Sequence, residues 1–417
     1  PRPHYNVPMA EKLKILEVCN LDRFAASPYM LPLLRGLREK GYEVHVACRA
    51  TSFSDALRDA GLEVLDIPIT RHVTPMADLR AYRRLKSLMR TGGYCLVHTH
   101  NPKDGVLGRM AAWTLNIPAV VHTCNGFYFS HRSSRLKRWL VLRVERFAGK
   151  RCHLIIFVNS EDLALAAARR IAVPGKAKLI YNGTDLERFH PGEEPGLKDE
   201  LGIPQGSTVL GYVGEVKRER NLDVLVQAAS RLAFAYPDLY LVLVGDSSAD
   251  PKEPSRLQKL AAGLGLEGRL VFTGYRFDPE RFYRIFDVYV LPSTREGFGV
   301  TIIEAMATGV PVVACRVRGP REIIDDGLDG TLVKDRDPEE LADAISFYLE
   351  APEAVANYTR RAYEKVARDF NHTLMRSKLY DAYSRLIANP SASNPWGQAR
   401  TWDITLETSP MKSPLRE

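Results

Sequence analysis

The 417-residue chain has no apolar run approaching the roughly 20 residues needed to cross a bilayer as a helix. Its first residues, PRPHYNVPMAEKLKILEV, contain no signal-peptide core, which leads us to expect a cytoplasmic protein. None of its six cysteines (Cys19, Cys48, Cys95, Cys124, Cys152, Cys315) forms a CxxC pair, which argues against a zinc ribbon or a thioredoxin-type centre. Most lie in or beside β-like apolar runs and read as reduced, buried small side chains. No G-x-x-x-x-G-K-[ST] occurs, so this is not a P-loop NTPase. There is no recognisable nucleic-acid motif and no aromatic-rich platform for single strands, so nucleic acid is not expected as a partner. No pair of aspartates is placed around an evident metal position, and no cofactor or essential divalent ion is expected.

The chain is too long for one ordinary core and fits two domains. It is 45% hydrophobic and 26% charged, the composition of a globular protein, and its net charge of +8 favours anionic partners. Short β-branched runs alternate with amphipathic helical stretches. KLKILEV, YEVHVAC, LEVLDIP, YCLVHTH, PAVVHTC, HLIIFVN and AKLIYNG read as strands in the first half. TVLGYVG, LYLVLVG, RLVFTG, DVYVLPS, VPVVACR and GTLVK do so in the second. Near-continuous apolar strands spaced by helices predict parallel sheets covered on both faces. The stretch 186–206 breaks the rhythm with three prolines and four glycines. We therefore expect a first Rossmann-like domain over 1–190, a linker at 191–206 and a second over 207–370. A C-terminal helix is expected over 371–389 and a loosely ordered tail over 390–417.

GLGLEG at 263–268 matches a dinucleotide fingerprint in letters only. It follows a helix-like stretch and precedes a strand, the reverse of what that fingerprint needs, so Gly263 reads as a helix C-cap.

TREGFGVTIIEAMATG at 294–309 is more informative. It follows the buried-looking strand DVYVLPS, and it sets Glu296 among glycines and Glu304 one turn inside a helix. The glycines permit close backbone approach, and the helix start offers free N–H groups and the positive end of a dipole, which suits a phosphate. A carboxylate one turn further in can accept from neighbouring ribose hydroxyls, as acidic residues do in Rossmann sites. The pattern fits a nucleoside diphosphate lying across a helix N-terminus. Two solvated helix-entry charges would give the same letters, since acids favour the first turn.

PSTREGFGVTIIEAMATGVPVVA resembles the E-x7-E signature of retaining glycosyltransferases of family four, which have the two-Rossmann GT-B fold. YVGEVKRERNLDVLVQA, LVLVGD, FTGY and GPREIIDDGLDGTLV follow the family order, and IYNGTDLERFHP resembles its usual approach to the linker. THNPKDGVLGRMAAWTLNIPAVVHTCNGF resembles the branch that builds bacterial capsule, lipopolysaccharide O-chain and exopolysaccharide. The resemblance implies that Glu304 holds the ribose hydroxyls. It implies that Glu296 and the segment Gly297, Phe298, Gly299, Val300 hold donor-sugar hydroxyls and the diphosphate, with Glu296 as the catalytic candidate. Gly214 would admit the diphosphate, Arg220 would neutralise it, with Lys217 or Arg218 as candidates to substitute for the cation missing after Gly214, and the nucleobase would rest after Gly274 at Tyr275 and Arg276. Three departures stand out: Glu215 where the family often has Arg, Asn125-Gly126 where it has His-Gly, and NLDRFAASPYM in place of a Gly-Gly loop. The implied donor is a nucleotide-sugar, with UDP favoured, and transfer with retention.

On the first-domain side, His100, Asn101, Lys103, His122, Asn125 and Gly126 are expected near donor or acceptor, with core packing as the alternative for the histidines. His98, His100 and the nearby Cys95 also allow a metal site, the weakest of these readings. Residues 130–151 carry eight basic side chains against one acid, with Leu136, Trp139, Leu140, Val144 and Phe147 at helical spacing. Arg135, Lys137, Arg138 and Trp139 are candidates for contact with an anionic membrane, as a peripheral protein on the inner face of the plasma membrane. An ordinary helix with its apolar face in the core is the competing reading. A glycan or a polyprenyl-diphosphate-linked sugar is the expected acceptor. A same-fold epimerase and an inactive scaffold of polysaccharide synthesis stand as alternatives.

Overall fold

The computed structural model describes residues 12–70, 73–127, 129, 133–172 and 175–389. The expected tail, 390–417, lies outside the described residues. The first sheet is built from β1 (Lys14–Leu21), β2 (Glu43–Arg49), β3 (Glu63–Asp66), β4 (Tyr94–Thr99), β5 (Ala119–Cys124), β6 (Leu154–Phe157) and β7 (Ala177–Leu179). Its order is β3-β2-β1-β4-β5-β6-β7, with every pairing parallel. The second comprises β8 (Thr208–Val213), β9 (Leu239–Val244), β10 (Leu270–Gly274), β11 (Val288–Leu291), β12 (Val312–Cys315) and β13 (Thr331–Val333). Its order is β10-β9-β8-β11-β12-β13, again all parallel.

Chemistry explains these elements. Strands such as Ala119–Cys124 and Val288–Leu291 are buried along their whole length, as expected of parallel strands with helices on both faces. Gly211 in β8 leaves the space that the Phe286 ring fills, since a Cβ there would lie 2.1 Å from it. The order reverses between β1 and β4 in one sheet and between β8 and β11 in the other. At such switch points adjacent connections diverge and leave a crevice beyond the carboxyl ends of the strands.

Two compact units result, one of the described residues to Ile180 together with those from Arg376 onward, the other of Tyr181–Met375. Residues 181–190, expected with the first domain, group with the second unit. Thr184 N–H donates to Phe370 O at 2.8 Å and Arg188 pairs with Glu280 at 2.7 Å. The expected linker also packs there, with Glu194 bound to Arg281 at 2.6 Å. The C-terminal helix runs His372–Ala388 and passes from one grouping to the other at Arg376. Gly263 is the last residue of the helix Glu253–Gly263, and the left-handed turn falls at Gly265 (φ 78°) instead. Five of the six cysteines are buried free thiols; Cys95 is only half-buried.

Candidate functional site

In the second unit, β11 ends at Leu291 and the chain turns through Pro292 and Ser293 into the helix Val300–Ala307. Gly299 precedes that helix with φ 103°, a conformation that favours glycine, and no side chain caps it. Ile302 N–H closes the first turn onto Gly299 O at 2.9 Å, and the amides ahead of it have no intrahelical partner and are presented to whatever lies before the helix. The loop is braced from behind. Gly319 N–H donates to Glu296 O at 3.1 Å, and a Cβ at Gly319 would lie 2.4 Å from Phe298 O. The Phe298 ring is buried against Tyr181 and Phe370, at centroid distances of 6.0 and 5.6 Å, so only its backbone is free to meet a ligand. Sequence reading named Phe298 and missed Gly319, whose signal was the small residue opening GPREIIDD.

Glu296 Oε2 accepts from Arg220 Nη1 at 2.6 Å, and its Oε1 accepts from the Gly297 amide at 3.1 Å. Arg220 Nη1 also reaches Ser293 Oγ at 3.4 Å, while its Nε is buried with no hydrogen-bond partner. Burial alone would lower the Arg220 pKa; the neighbouring Glu296 carboxylate outweighs that and raises it, so the guanidinium stays charged. The cation expected after Gly214 is indeed replaced by an acid, and Glu215 is bonded to Lys217. Lys217 is therefore engaged by a carboxylate of its own loop, whereas Arg220 faces the E-x7-E loop.

Three adjacent strands end in bare backbone. Gly214 follows β8, Gly245 follows β9 and Gly274 closes β10. Gly214 N–H donates to Val244 O and Gly245 N–H to Gly274 O, each at 2.9 Å. A Cβ at Gly245 would lie 1.7 Å from Gly214 O, so the strand ends touch backbone to backbone. Sequence reading singled out Gly214 and Gly274 but not Gly245, although the LVLVGD that contains it was visible. Beyond Gly274, Tyr275 packs edge-on to Phe277 at 5.1 Å and Arg276 forks onto Asp278 at 2.8 Å.

Glu304 is the fifth residue of the Val300–Ala307 helix and is nearly buried, with 6% exposure. Its Oε2 accepts from Tyr283 Oη at 2.8 Å. Burial pushes its carboxyl up to about 7, although the Tyr283 bond pulls the other way. A solvated first-turn acid would show neither feature.

In the first unit, His100 follows β4 and is buried, with Nε2 2.7 Å from Glu17 Oε2. Glu17 Oε1 accepts from Tyr383 Oη at 3.0 Å. Burial, then the neighbouring His98, push the His100 pKa down to about 4 against the pull of Glu17, so the ring is neutral. His122 is buried too, its Nδ1 2.9 Å from Thr99 Oγ1, and burial pushes its pKa well down. Asn101 adopts φ 49° at the start of the helix Pro102–Thr114. Lys103 bonds Thr70 Oγ1 at 2.7 Å and pairs with Asp78. Asn125 has a buried Nδ2 without a partner, and Gly126 takes φ 110°. Asp104, which sequence reading passed over, is buried with an unpartnered Oδ1, and burial pushes its carboxyl up to about 7. Glu17, His98 and His100 lie close enough to share a cation, as do Glu43, His45 and Glu63. The first set is already closed on itself by hydrogen bonds.

The helix Arg135–Gly149 decides between two readings of its apolar residues. Leu136, Trp139, Leu140, Val144 and Phe147 are 39–73% exposed, so the apolar stripe is not in the core. The single acid, Glu145, points inward and pairs with buried Arg109 at 2.9 Å. The outward face is therefore wholly basic and apolar, with Arg135, Lys137, Arg138 and Arg143 exposed. Tyr128, Arg132 and the residues between them, apart from Phe129, lie outside the described residues.

Residues 194–365 match the model of glycosyl transferases group 1, and residues 26–188 match that of glycosyltransferase family 4. A putative glycosyltransferase, EpsD of Bacillus subtilis, is 30% identical over 377 residues, covering 89% of this chain and 96% of EpsD. The chain belongs to glycosyltransferase family four. An Escherichia coli relative, the UDP-Gal:alpha-D-GlcNAc-diphosphoundecaprenol alpha-1,3-galactosyltransferase, is 27% identical over 86% of this chain and 96% of its own length. Among solved structures, Anabaena HepE with UDP and glucose superposes with a TM-score of 0.77 at 22% identity, covering 89% of this chain and 100% of HepE. WaaG, a glycosyltransferase involved in lipopolysaccharide biosynthesis, superposes at 0.66 and 16% identity, over 88% and 99% of the two chains. These likenesses establish the GT-B fold for this family-four transferase. Among its described residues no helix is long and apolar enough to cross a membrane.

Proposed function

We propose that this glycosyltransferase moves a sugar from a UDP-sugar to a polyprenyl-diphosphate-linked glycan, with retention, in bacterial cell-surface polysaccharide synthesis. The observation that carries the donor reading is the uncapped, glycine-led start of the Val300–Ala307 helix, flanked by the Arg220–Glu296 pair and by buried Glu304. A diphosphate laid across that start would meet the amides of Gly299 and Val300 and the charge of Arg220. Charge that develops on the departing diphosphate is then met by groups already in place, the main source of rate enhancement in such sites. Glu304 would accept from the ribose hydroxyls. Gly214, Gly245 and Gly274 leave room for the base and phosphates beside the strand ends. Glu296 would take donor-sugar hydroxyls and is the catalytic candidate, with the acceptor attacking on the face the leaving group departs from. No essential divalent ion is invoked, because Arg220 and the helix start supply the positive charge.

The UDP preference is supported by the UDP bound in HepE, and the lipid-linked acceptor by what the Escherichia coli relative acts on. His100, Asn101, Lys103, His122, Asn125 and Gly126 would line the acceptor side, with the buried histidines acting through position and not charge. The exposed Trp139 and its basic neighbours Arg135, Lys137 and Arg138 would rest on the anionic inner face of the plasma membrane, where such an acceptor lives. The test is nucleoside diphosphate release from a panel of UDP-, GDP- and ADP-sugars, with and without bacterial lipid extract. Release from one donor, stimulated by lipid and abolished in Glu304→Ala, is expected. Binding of no nucleotide at all would refute the donor site.

A further inference from the structure

We propose that Tyr283 is a positioning residue for the nucleotide: its hydroxyl holds Oε2 of Glu304 and leaves Oε1 to accept from a ribose hydroxyl. This rests on the donor reading above. Tyr283 ends the short helix Pro279–Tyr283, and its ring is fixed between Phe189, Phe286 and Tyr289 at centroid distances of 5.6–5.9 Å. The hydroxyl has one proton and two acceptors within reach, Glu304 Oε2 at 2.8 Å and Thr301 O at 3.1 Å. An ionised carboxylate is the stronger acceptor, so the proton goes to Glu304 whenever Glu304 is charged. Glu304 Oε1 has no hydrogen bond among the described residues. Anchoring one oxygen fixes the carboxylate plane and hence the direction of the free lone pairs.

The ionisable groups facing Glu304 are few. Tyr283 and Tyr289 lie on the elements packed against it, and both are held neutral by burial. Arg188 lowers its pKa and Glu280 raises it, and those two are paired with each other at 2.7 Å. Tyr283 is therefore the main local support for the charged form. A ribose hydroxyl donating to Oε1 also favours that form. Nucleotide binding should then strengthen as pH rises through the neighbourhood of 7 and should release a proton.

The experiment is UDP binding by calorimetry from pH 5.5 to 9.5, in buffers of different ionisation enthalpy, on the full chain. Wild type, Tyr283→Phe and Glu304→Gln are compared, with 2′,3′-dideoxy-UDP as a second probe and melting temperature as a folding control. Loss of a hydrogen bond to a charged group should move the affinity limb of Tyr283→Phe upward by about one pH unit. That is about fivefold weaker UDP binding at pH 7, converging on wild type above pH 9. The terminal phosphate of either nucleotide titrates at about 6 and adds a common limb in every variant, so the profile is read as UDP minus 2′,3′-dideoxy-UDP; in that difference Glu304→Gln should abolish both the limb and the proton release. A limb that does not move in Tyr283→Phe overturns the proposal. So does an equal weakening at all pH values with both nucleotides, the mark of a merely structural tyrosine. Failure of wild type to bind UDP while binding GDP or ADP would change the base, and the same profile would then be read with that nucleotide. No binding of any of the three would instead remove the donor reading itself.

Discussion

Arg220→Met separates stability from catalysis at the Arg220–Glu296 pair. The pair is close, 2.6 Å, and its side chains are 23% and 20% exposed. Breaking a fully buried pair by removing one partner costs about 3–5 kcal/mol, and a fully exposed one about 0–1 kcal/mol. The observed exposure lies toward the buried end, so the variant should lose about 2 kcal/mol of unfolding free energy. Most of that loss is the Glu296 charge left without its guanidinium. Adding Glu296→Gln removes the charge and should restore about half of it, a coupling that a double-mutant cycle in urea reads directly. Turnover should behave differently. On the proposed donor reading Arg220 also meets the departing diphosphate, so kcat/KM should fall by about 100-fold or more in Arg220→Met. UDP carries no sugar for Glu296 to hold, so UDP affinity isolates the cation: it should fall in Arg220→Met and stay low in the double variant. UDP affinity restored together with stability would show that Arg220 serves only to neutralise Glu296, and the phosphate role would be refuted.

Other expectations follow from the same geometry. Glu304 ionises at about 7 in the fold against an ordinary value of 4.5, so the folded state holds the proton over a range where the unfolded chain has released it. Stability without ligand should be fullest below pH 4.5 in this respect and decline as pH rises through 7; Glu304→Gln should therefore be more stable than wild type at pH 8, by up to about 3 kcal/mol. Gly245→Ala should cost more than 3 kcal/mol in a thermal or urea melt, because its Cβ meets the Gly214 carbonyl at 1.7 Å; Gly274→Ala, at φ 70° in open space, should cost about 1 kcal/mol. Pelleting with anionic vesicles should be lost in Trp139→Ser combined with Arg135→Glu and Arg138→Glu, and should weaken for wild type as salt is raised. Binding that is indifferent to both would place the membrane contact elsewhere.

Much of this was legible in the letters because parallel sheets write themselves plainly. DVYVLPS, LYLVLVG and PAVVHTC are mainly apolar and bounded by turns, so each falls on a strand in the structure. Gly299 and Glu304 were legible because a glycine before a helix and an acid one turn inside it have few physical uses together. Partnership was less legible. Nothing in the spacing ties Tyr283 to Glu304 or Arg220 to Glu296: Arg220 and Glu296 meet because β8 and β11 pair across the switch point, and Tyr283 and Glu304 because the helices before and after β11 pack together. Gly245 and Gly319 were passed over because their reason is contact with another strand end or loop, not a local turn. The exposed stripe of the Arg135–Gly149 helix shows the converse limit. Its periodicity suited a core face equally well, and the turning inward of Glu145 toward Arg109 decided the matter. The boundary near 190 was set by proline and glycine content, whereas the grouping of 181–190 is set by long-range pairs such as Arg188 with Glu280.

The most direct test of the account follows the sugar itself. A donor labelled in its sugar is incubated with the protein and bacterial lipid extract, and the label is counted in the organic phase. We expect wild type to move label into that phase in step with nucleoside diphosphate release, and Glu304→Ala to move none. Nucleoside diphosphate release with the label left in water as free sugar, or transfer undiminished in Glu304→Ala, would contradict it.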